Sequence, residues 1–183
     1  MGRYPDKTCG GLKKTGQNRL GRMFYRWQLC SGQKRGSGIG KTKRGKGSKI
    51  MAIADGNGLP VAISTHDASP HEVNLVKETL SKSFIRTKPK RLIGDMAYDS
   101  DPLDKELKKQ KIKMIAPHRA NRVKPATQDG RELRRYKRRW KVERLFAWIQ
   151  QFRRCQTRFD YYENNYLAFV QIACMVILLR NYF

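Results

Sequence analysis

Glu143 stands in Tyr136-Lys137-Arg138-Arg139-Trp140-Lys141-Val142-Glu143-Arg144-Leu145-Phe146-Ala147-Trp148, the most basic helix-like stretch of the chain. Tyr136, Arg139, Glu143 and Gln150 are separated by three, four and seven residues, so a helix puts them on one stripe. A carboxylate among so many cations has two readings. It is either a surface acid in helical ion pairs worth about 0.3 kcal/mol each, or a ligand that holds a divalent metal against a phosphate. Arg139 would grip that phosphate as a planar fork. The metal reading needs a second acid, and Asp95 offers one, because it closes the apolar run Arg91-Leu92-Ile93-Gly94. Strand ends at the carboxyl edge of a sheet are where α/β proteins place ligands. An Asp there and a Glu on a downstream helix could jointly hold Mg²⁺ (or Mn²⁺) through oxygens and waters, and two such ions clamp the attacking and leaving oxygens of a phosphodiester.

Composition points to the same kind of substrate. The chain has 183 residues with 40 Lys+Arg against 15 Asp+Glu, a formal net charge of +25. That excess excludes an ordinary neutral metabolic enzyme and implies a polyanionic partner, with nucleic acid the first choice and a membrane surface the weaker one. The apolar run 166–179 is shorter than the roughly 20 residues of a spanning helix and is broken by Gln171. It reads as a buried helix, with no membrane partner. The polar, glycine-rich start has no secretory pattern. Cys9, Cys30, Cys155 and Cys174 show no metal-ligand spacing, so reduced thiols in a cytoplasmic protein are the expectation.

The elements that must position these residues begin after a change of texture. Residues 1–49 hold fourteen Lys+Arg and a single acid, Asp6, and read as a disordered basic arm. From Ile50 the pattern is strand, Asp55-Gly56-Asn57-Gly58 turn, strand, which makes Asp55 a turn residue. An amphipathic helix is predicted over 71–83, a strand over 91–95, a helix from Ser100-Asp101-Pro102 to about Lys109, and a strand over 111–117. A basic loop then leads to the helix of Glu143, whose Val142, Leu145, Ile149 and Phe152 form a separate apolar stripe. This order argues for a mixed sheet flanked by helices.

Leu92-Ile93-Gly94-Asp95-Met96-Ala97-Tyr98-Asp99 and Tyr136-x-x-Arg139-x-x-x-Glu143 resemble the second and third blocks of insertion-sequence DDE transposases, in the subgroup with a Tyr-Arg-Glu-Lys signature. The resemblance spans residues 36–183. It implies an α/β fold of ribonuclease H-like type, with Asp95 and Glu143 as the second and third metal-binding carboxylates. It also implies that Tyr136 and Arg139 lie near the DNA ends. The signature Lys is Gln150 here. In a complete enzyme of this kind, activated water cuts the phosphodiester at an element end and the freed 3′ hydroxyl attacks target DNA. The implied partners are transposon ends and target DNA, with a homo-oligomer assembled on them. Phosphate contacts are expected from the loop 118–141, including Arg119, Arg122, Arg135 and Lys141, in a bacterial, nucleoid-associated protein.

The first acid of the triad is missing. Where the family carries Asp-Gly-x-Phe, this chain reads Phe24-Tyr25-Arg26-Trp27-Gln28-Leu29-Cys30-Ser31-Gly32-Gln33-Lys34-Arg35, without an acid. The first strand is therefore expected to be absent or non-native. The genetic code suggests why. Trp27 is TGG and Gln28 begins CA, so reading one nucleotide downstream gives GGC, a Gly codon. An Arg26 codon ending in A gives GAT, Asp, just before it. Gln33-Lys34-Arg35 can be CAA-AAA-AGG, an A-rich run suited to slippage. Residues 1–35 then read as an out-of-frame, poorly ordered arm and 36–183 as a partial catalytic domain, with an upstream-frame product as a further partner. The reading from another class is a non-catalytic basic DNA-binding protein, in which Asp95 and Glu143 need not converge; a small hydrolytic nuclease is a third.

Other signals have plainer explanations. Gly36-Ser37-Gly38-Ile39-Gly40-Lys41-Thr42 resembles a phosphate loop but lacks its first Gly and a preceding apolar strand. His66 and His71 suit capping or surface roles. Asp99, Asp101 and Asp104 suit a helix N-terminus. Trp140 and Trp148 are expected to pack.

Overall fold

The computed structural model describes residues 20–32, 36–42, 45–120, 122–123, 125–127 and 130–182. The disorder expected of residues 1–19, and the placement of Gln33, Lys34 and Arg35, fall outside the described residues. The expectation of an arm ends before Arg22, because Arg22–Gly32 form the first strand, β1. The reason is local chemistry: Met23, Phe24, Tyr25, Trp27, Leu29 and Cys30 are β-formers or apolar fillers, and Met23, Phe24, Tyr25 and Cys30 are buried. The place of the first strand is filled, though by a strand without an acid.

Strands β2 (Gly40–Thr42), β3 (Gly45–Ala54) and β4 (Pro60–Asp67) follow, then helix α1 (Glu72–Ser81), strand β5 (Arg91–Ile93), helix α2 (Asp101–Lys109) and strand β6 (Lys113–Ile115). Beyond these come α3 (Gly130–Leu133), α4 (Trp140–Gln150), α5 (Arg153–Gln156), strand β7 (Thr157–Arg158) and α6 (Glu163–Tyr182). Short 3-10 turns cover Met96–Tyr98 and Tyr136–Arg138, so the helix expected to run unbroken from Tyr136 starts at Trp140. The sheet order is β2-β3-β1-β5-β6, with β4 also on β3 and β7 also on β1. β1 runs antiparallel to β3 and parallel to β5, which is parallel to β6. This is the ribonuclease H-like arrangement of a mixed sheet with helices on both faces.

Side-chain alternation divides the core into two layers. Phe24, Cys30, Ile93 and Ile115 face Val142, Leu145, Phe146 and Ile149 of α4 and Tyr166, Val170, Ala173, Cys174 and Ile177 of α6. Met23, Tyr25, Leu92 and Met114 face α1 and α2 through Leu75, Val76, Leu103 and Leu107. The apolar stripe expected of α4 therefore packs as read. α6 does not: only one side is buried, and Ile172, Met175, Leu179 and Tyr182 are exposed. It has the length and apolarity to cross a membrane, but here its buried side packs on the sheet, against β4.

Asp55 is a turn residue, its Oδ1 accepting the N–H groups of Asn57 (2.8 Å) and Leu59 (2.9 Å). His71 caps α1, with Nδ1 3.4 Å from the Val73 N–H donor. Gly40-Lys41-Thr42 are strand, paired antiparallel with residues 45–47, which rules out a phosphate loop there.

Arg158 is wholly buried without a carboxylate among its acceptors. It donates to Asp160 O (3.0 Å), Gly38 O (3.0 Å), Tyr161 O (3.1 Å), Ser48 Oγ (2.6 Å) and Ser37 O. One guanidinium thereby joins the 37–38 loop, β3 and the turn before α6. Arg158→Met keeps the volume but strips these acceptors of their donor, so we expect a loss of about 3 kcal/mol in urea unfolding.

Candidate active site

The site lies where one edge of β1 changes partner. Its early residues pair with β5, ending at Phe24↔Ile93, and its last two pair with β7 from Ser31↔Thr157. Gly94 continues the ladder by donating to Ile115 O (3.0 Å). Carrying the register two residues past Phe24↔Ile93 sets Arg26 alongside Asp95, on the face shared by Phe24, Ile93 and α4. Asp95 is still extended (φ −83°, ψ −176°), and its Oδ1 accepts the Ala97 N–H (2.9 Å), capping the 3-10 turn.

Glu143 arrives from α4, whose position depends on the turn between β3 and β4. The Lys141 ammonium donates to Gly56 O and the Arg144 guanidinium to Asn57 O. Gly58 has φ +82°, and a Cβ there would lie 2.9 Å from Lys141 O, so only glycine permits both the turn and the close approach. Arg144 is stacked between Trp140 and Trp148, at 5.0 and 4.8 Å from the ring centres. Trp148 packs at the edge of the core as expected; Trp140 is about half exposed, since its ring covers Arg144 and not apolar neighbours. Burial, with Arg138 nearby, holds the Lys141 ammonium below its usual range.

The Glu143 carboxylate accepts from Arg26 Nη1 and lies 3.4 Å from Arg139 Nη1. These side chains are 37%, 43% and 38% exposed for Arg26, Arg139 and Glu143, so water screens each pair to about 1 kcal/mol or less. Arg139 also lies over the Tyr136 ring, 5.2 Å from its centre. Tyr136, Arg139 and Glu143 thus share one flank as their spacing predicts, while Gln150 is exposed at the far end of α4 and Arg135 is half-buried.

The divalent ion that DDE families use does not fit this arrangement. Arg26, on the β1 face that α4 covers, and Arg139 both direct their guanidiniums at Glu143. Among the described residues, no three His, Cys, Asp or Glu side chains gather into a metal-holding group. Arg26 is the site residue that sequence reading missed as a participant. Its signal was the β-forming character of 23–30, hidden by the surrounding basic composition.

The loop after β6 folds back on the turn beyond Asp95. Arg122 pairs with Asp99 and Asp101 (2.8 Å each), His118 Nδ1 lies 2.9 Å from Asp99, and Arg119 donates to Met96 O (3.3 Å) and Ala97 O (3.1 Å). Arg119, Arg122 and Lys141, expected to contact phosphate, thus direct their donors at protein acceptors. Burial alone would raise the Asp99 carboxyl, but the Arg119 N–H, His118 and Arg122 outweigh it and hold it low. Asp104 goes the other way, pushed up to about 6 by burial and then by Asp101 and Asp99. Asp99 and Asp101 are therefore more than helix-terminus decoration, because Arg122 and His118 use them to fasten the loop.

The mixed sheet with helices on both faces defines an α/β domain of ribonuclease H-like fold. The family model for the transposase DDE domain matches residues 7–178, and the chain belongs to that family. A putative transposase for insertion sequence element IS402 of Burkholderia cepacia is 27% identical over 139 residues, 72% of this chain. The match spans 62% of that relative's length. The piggyBac transposase, solved as a synaptic complex with hairpin DNA, shares the fold with a TM-score of 0.57 at 14% identity, over 85% of this chain and 45% of that one.

Asp104 yields a pH prediction. Its folded value near 6 exceeds its ordinary 3.8, so the folded chain holds the extra proton and stability falls as pH rises from about 4 through 6. Asp104→Asn removes that penalty. Thermal melts should show the variant more stable by about 1 kcal/mol at pH 7.5, with the gain vanishing near pH 4.

Proposed function

We propose that this chain is an insertion-sequence transposase domain that binds DNA and cannot complete strand cleavage or strand transfer by itself. The observation that supports the second half is the Arg26–Glu143 pair: the β1–β5 register carried on from Phe24↔Ile93 sets this cation beside Asp95, and we read its position as that of the family's first acid. DNA binding is supported by family membership and by the +25 charge. Exposed Arg134, Lys137 and Arg138 adjoin Arg139 and Tyr136 on the approach to the site. They supply sequence-independent phosphate contacts, with half-buried Arg135 beside them. Transposon ends and target DNA are the substrates, engaged by more than one copy of the chain on bacterial nucleoid DNA.

The non-catalytic DNA-binding reading keeps its place beside this one because the same ion pair favours it. Both share the charged surface and differ in origin. We attribute the missing acid to reading frame: with an Arg26 codon ending in A, the shifted frame would place Asp at the position Arg26 occupies, and the segment before residue 36 would be translated out of frame from a gene whose other frame, or an upstream-frame product, carries the first acid. Sequencing codons 20–40 tests this. An Arg26 codon ending in A is expected, and any other ending removes the explanation.

The biochemical test is fluorescence anisotropy on duplex DNA with and without an element end, alongside cleavage assays in Mg²⁺ and in Mn²⁺. Binding should weaken by about a hundredfold or more between 50 and 200 mM salt, with no nicked or joined product. Salt-insensitive or absent binding would reject the DNA reading, and specific cleavage would reject the incompleteness.

A further inference from the structure

We propose that Arg26 is the resident cation of this site: its guanidinium neutralises the Asp95–Glu143 pair in place of a divalent ion, and the chain is metal-free by construction. This rests on reading Asp95 and Glu143 as one carboxylate site. Three observations carry it. The β1–β5 register and the strand alternation bring Arg26 beside Asp95, on the face that α4 covers. The guanidinium donates to Glu143, which extends from that helix, so a single side chain bridges the two elements bearing the acids. Arg26 lies on the stretch of β1 left open between its pairings with β5 and β7, where a long cation can pair with Glu143 and still touch water.

The local charge then balances. Arg26 and Arg139 offset Asp95 and Glu143, leaving little net attraction for a second cation. Arginine cannot make way by losing its proton, since it stays charged at any working pH. A hard divalent ion also needs several oxygen ligands free of competing donors, whereas Glu143 already receives two guanidiniums. Arg26→Asp would reverse each of these conditions, leaving three acids against Arg139.

The test is Mn²⁺ titration of the full chain, followed by loss of the free-ion paramagnetic resonance signal and by melting temperature. The wild-type chain should show no saturable site and no Mn²⁺-dependent rise in melting temperature. Arg26→Asp should gain one site, tighter on the order of tenfold or more, and adding Glu143→Gln should abolish it. If Arg26→Asp does not fold, Arg26→Met answers the same question, because it frees both acids while keeping the strand. That variant should melt higher with Mn²⁺ where the wild type does not. Wild-type binding as tight as either variant, and lost on Glu143→Gln, overturns the proposal. So does a failure of both variants to gain Mn²⁺ binding. DNA affinity measured in chelator keeps the two conclusions apart: loss of DNA binding with the metal contrast intact removes only the functional reading.

Discussion

The whole arrangement hangs on β1. It is the strand to which β3, β5 and β7 all bond, and its two faces carry Phe24 into one core layer and Met23 and Tyr25 into the other. A strand bonded on both edges and covered on both faces has little freedom of register, since a one-residue slip would exchange the two layers and bury Trp27 and Arg26 in the wrong places. Arg26 is therefore committed to the α4 face by its neighbours. Once there, a cation on a central strand needs an anion, and Glu143 is within reach.

The opposite wall is set by the hairpin turn. Asp55 folds the turn by accepting two backbone N–H groups, and Gly58 lets α4 press against it. Lys141 and Arg144 then tie the helix to turn carbonyls from either side of Glu143. Cations that seemed available for DNA are thus partly structural, and the same holds for Arg119 and Arg122 around the 96–99 turn. The charge left for a polyanion is the exposed remainder, which near the site includes Arg134, Lys137 and Arg138.

Fold and chemistry have different tolerances in this chain. Burial of apolar side chains drives the sheet, and the β1 segment satisfies it with Met23, Phe24, Tyr25 and Cys30 whatever stands at position 26. A carboxylate site has no such latitude, because one acid exchanged for a guanidinium reverses the local charge. The architecture of β1 is therefore compatible with either sign of charge at position 26.

Much was legible from local pattern. The Asp55 turn, the His71 cap, the apolar stripe of α4, the strand ending at Asp95 and the placement of Arg139 beside Glu143 each depend on residues close in sequence, where spacing alone sets geometry. The motifs at Asp95 and Glu143 sufficed for the family. Three things needed the tertiary structure. The strand at 22–32 was masked by basic composition, and only pairing with β3 and β5 makes it a strand. The open face of α6 could not be read from an evenly apolar run, because which side is covered depends on the sheet beneath it. Above all, Arg26 and Glu143 are 117 residues apart. The chain's own residues set that the segment 22–32 carries no acid, but that Arg26 meets Glu143 is decided by register and packing, which are long-range and leave no local trace.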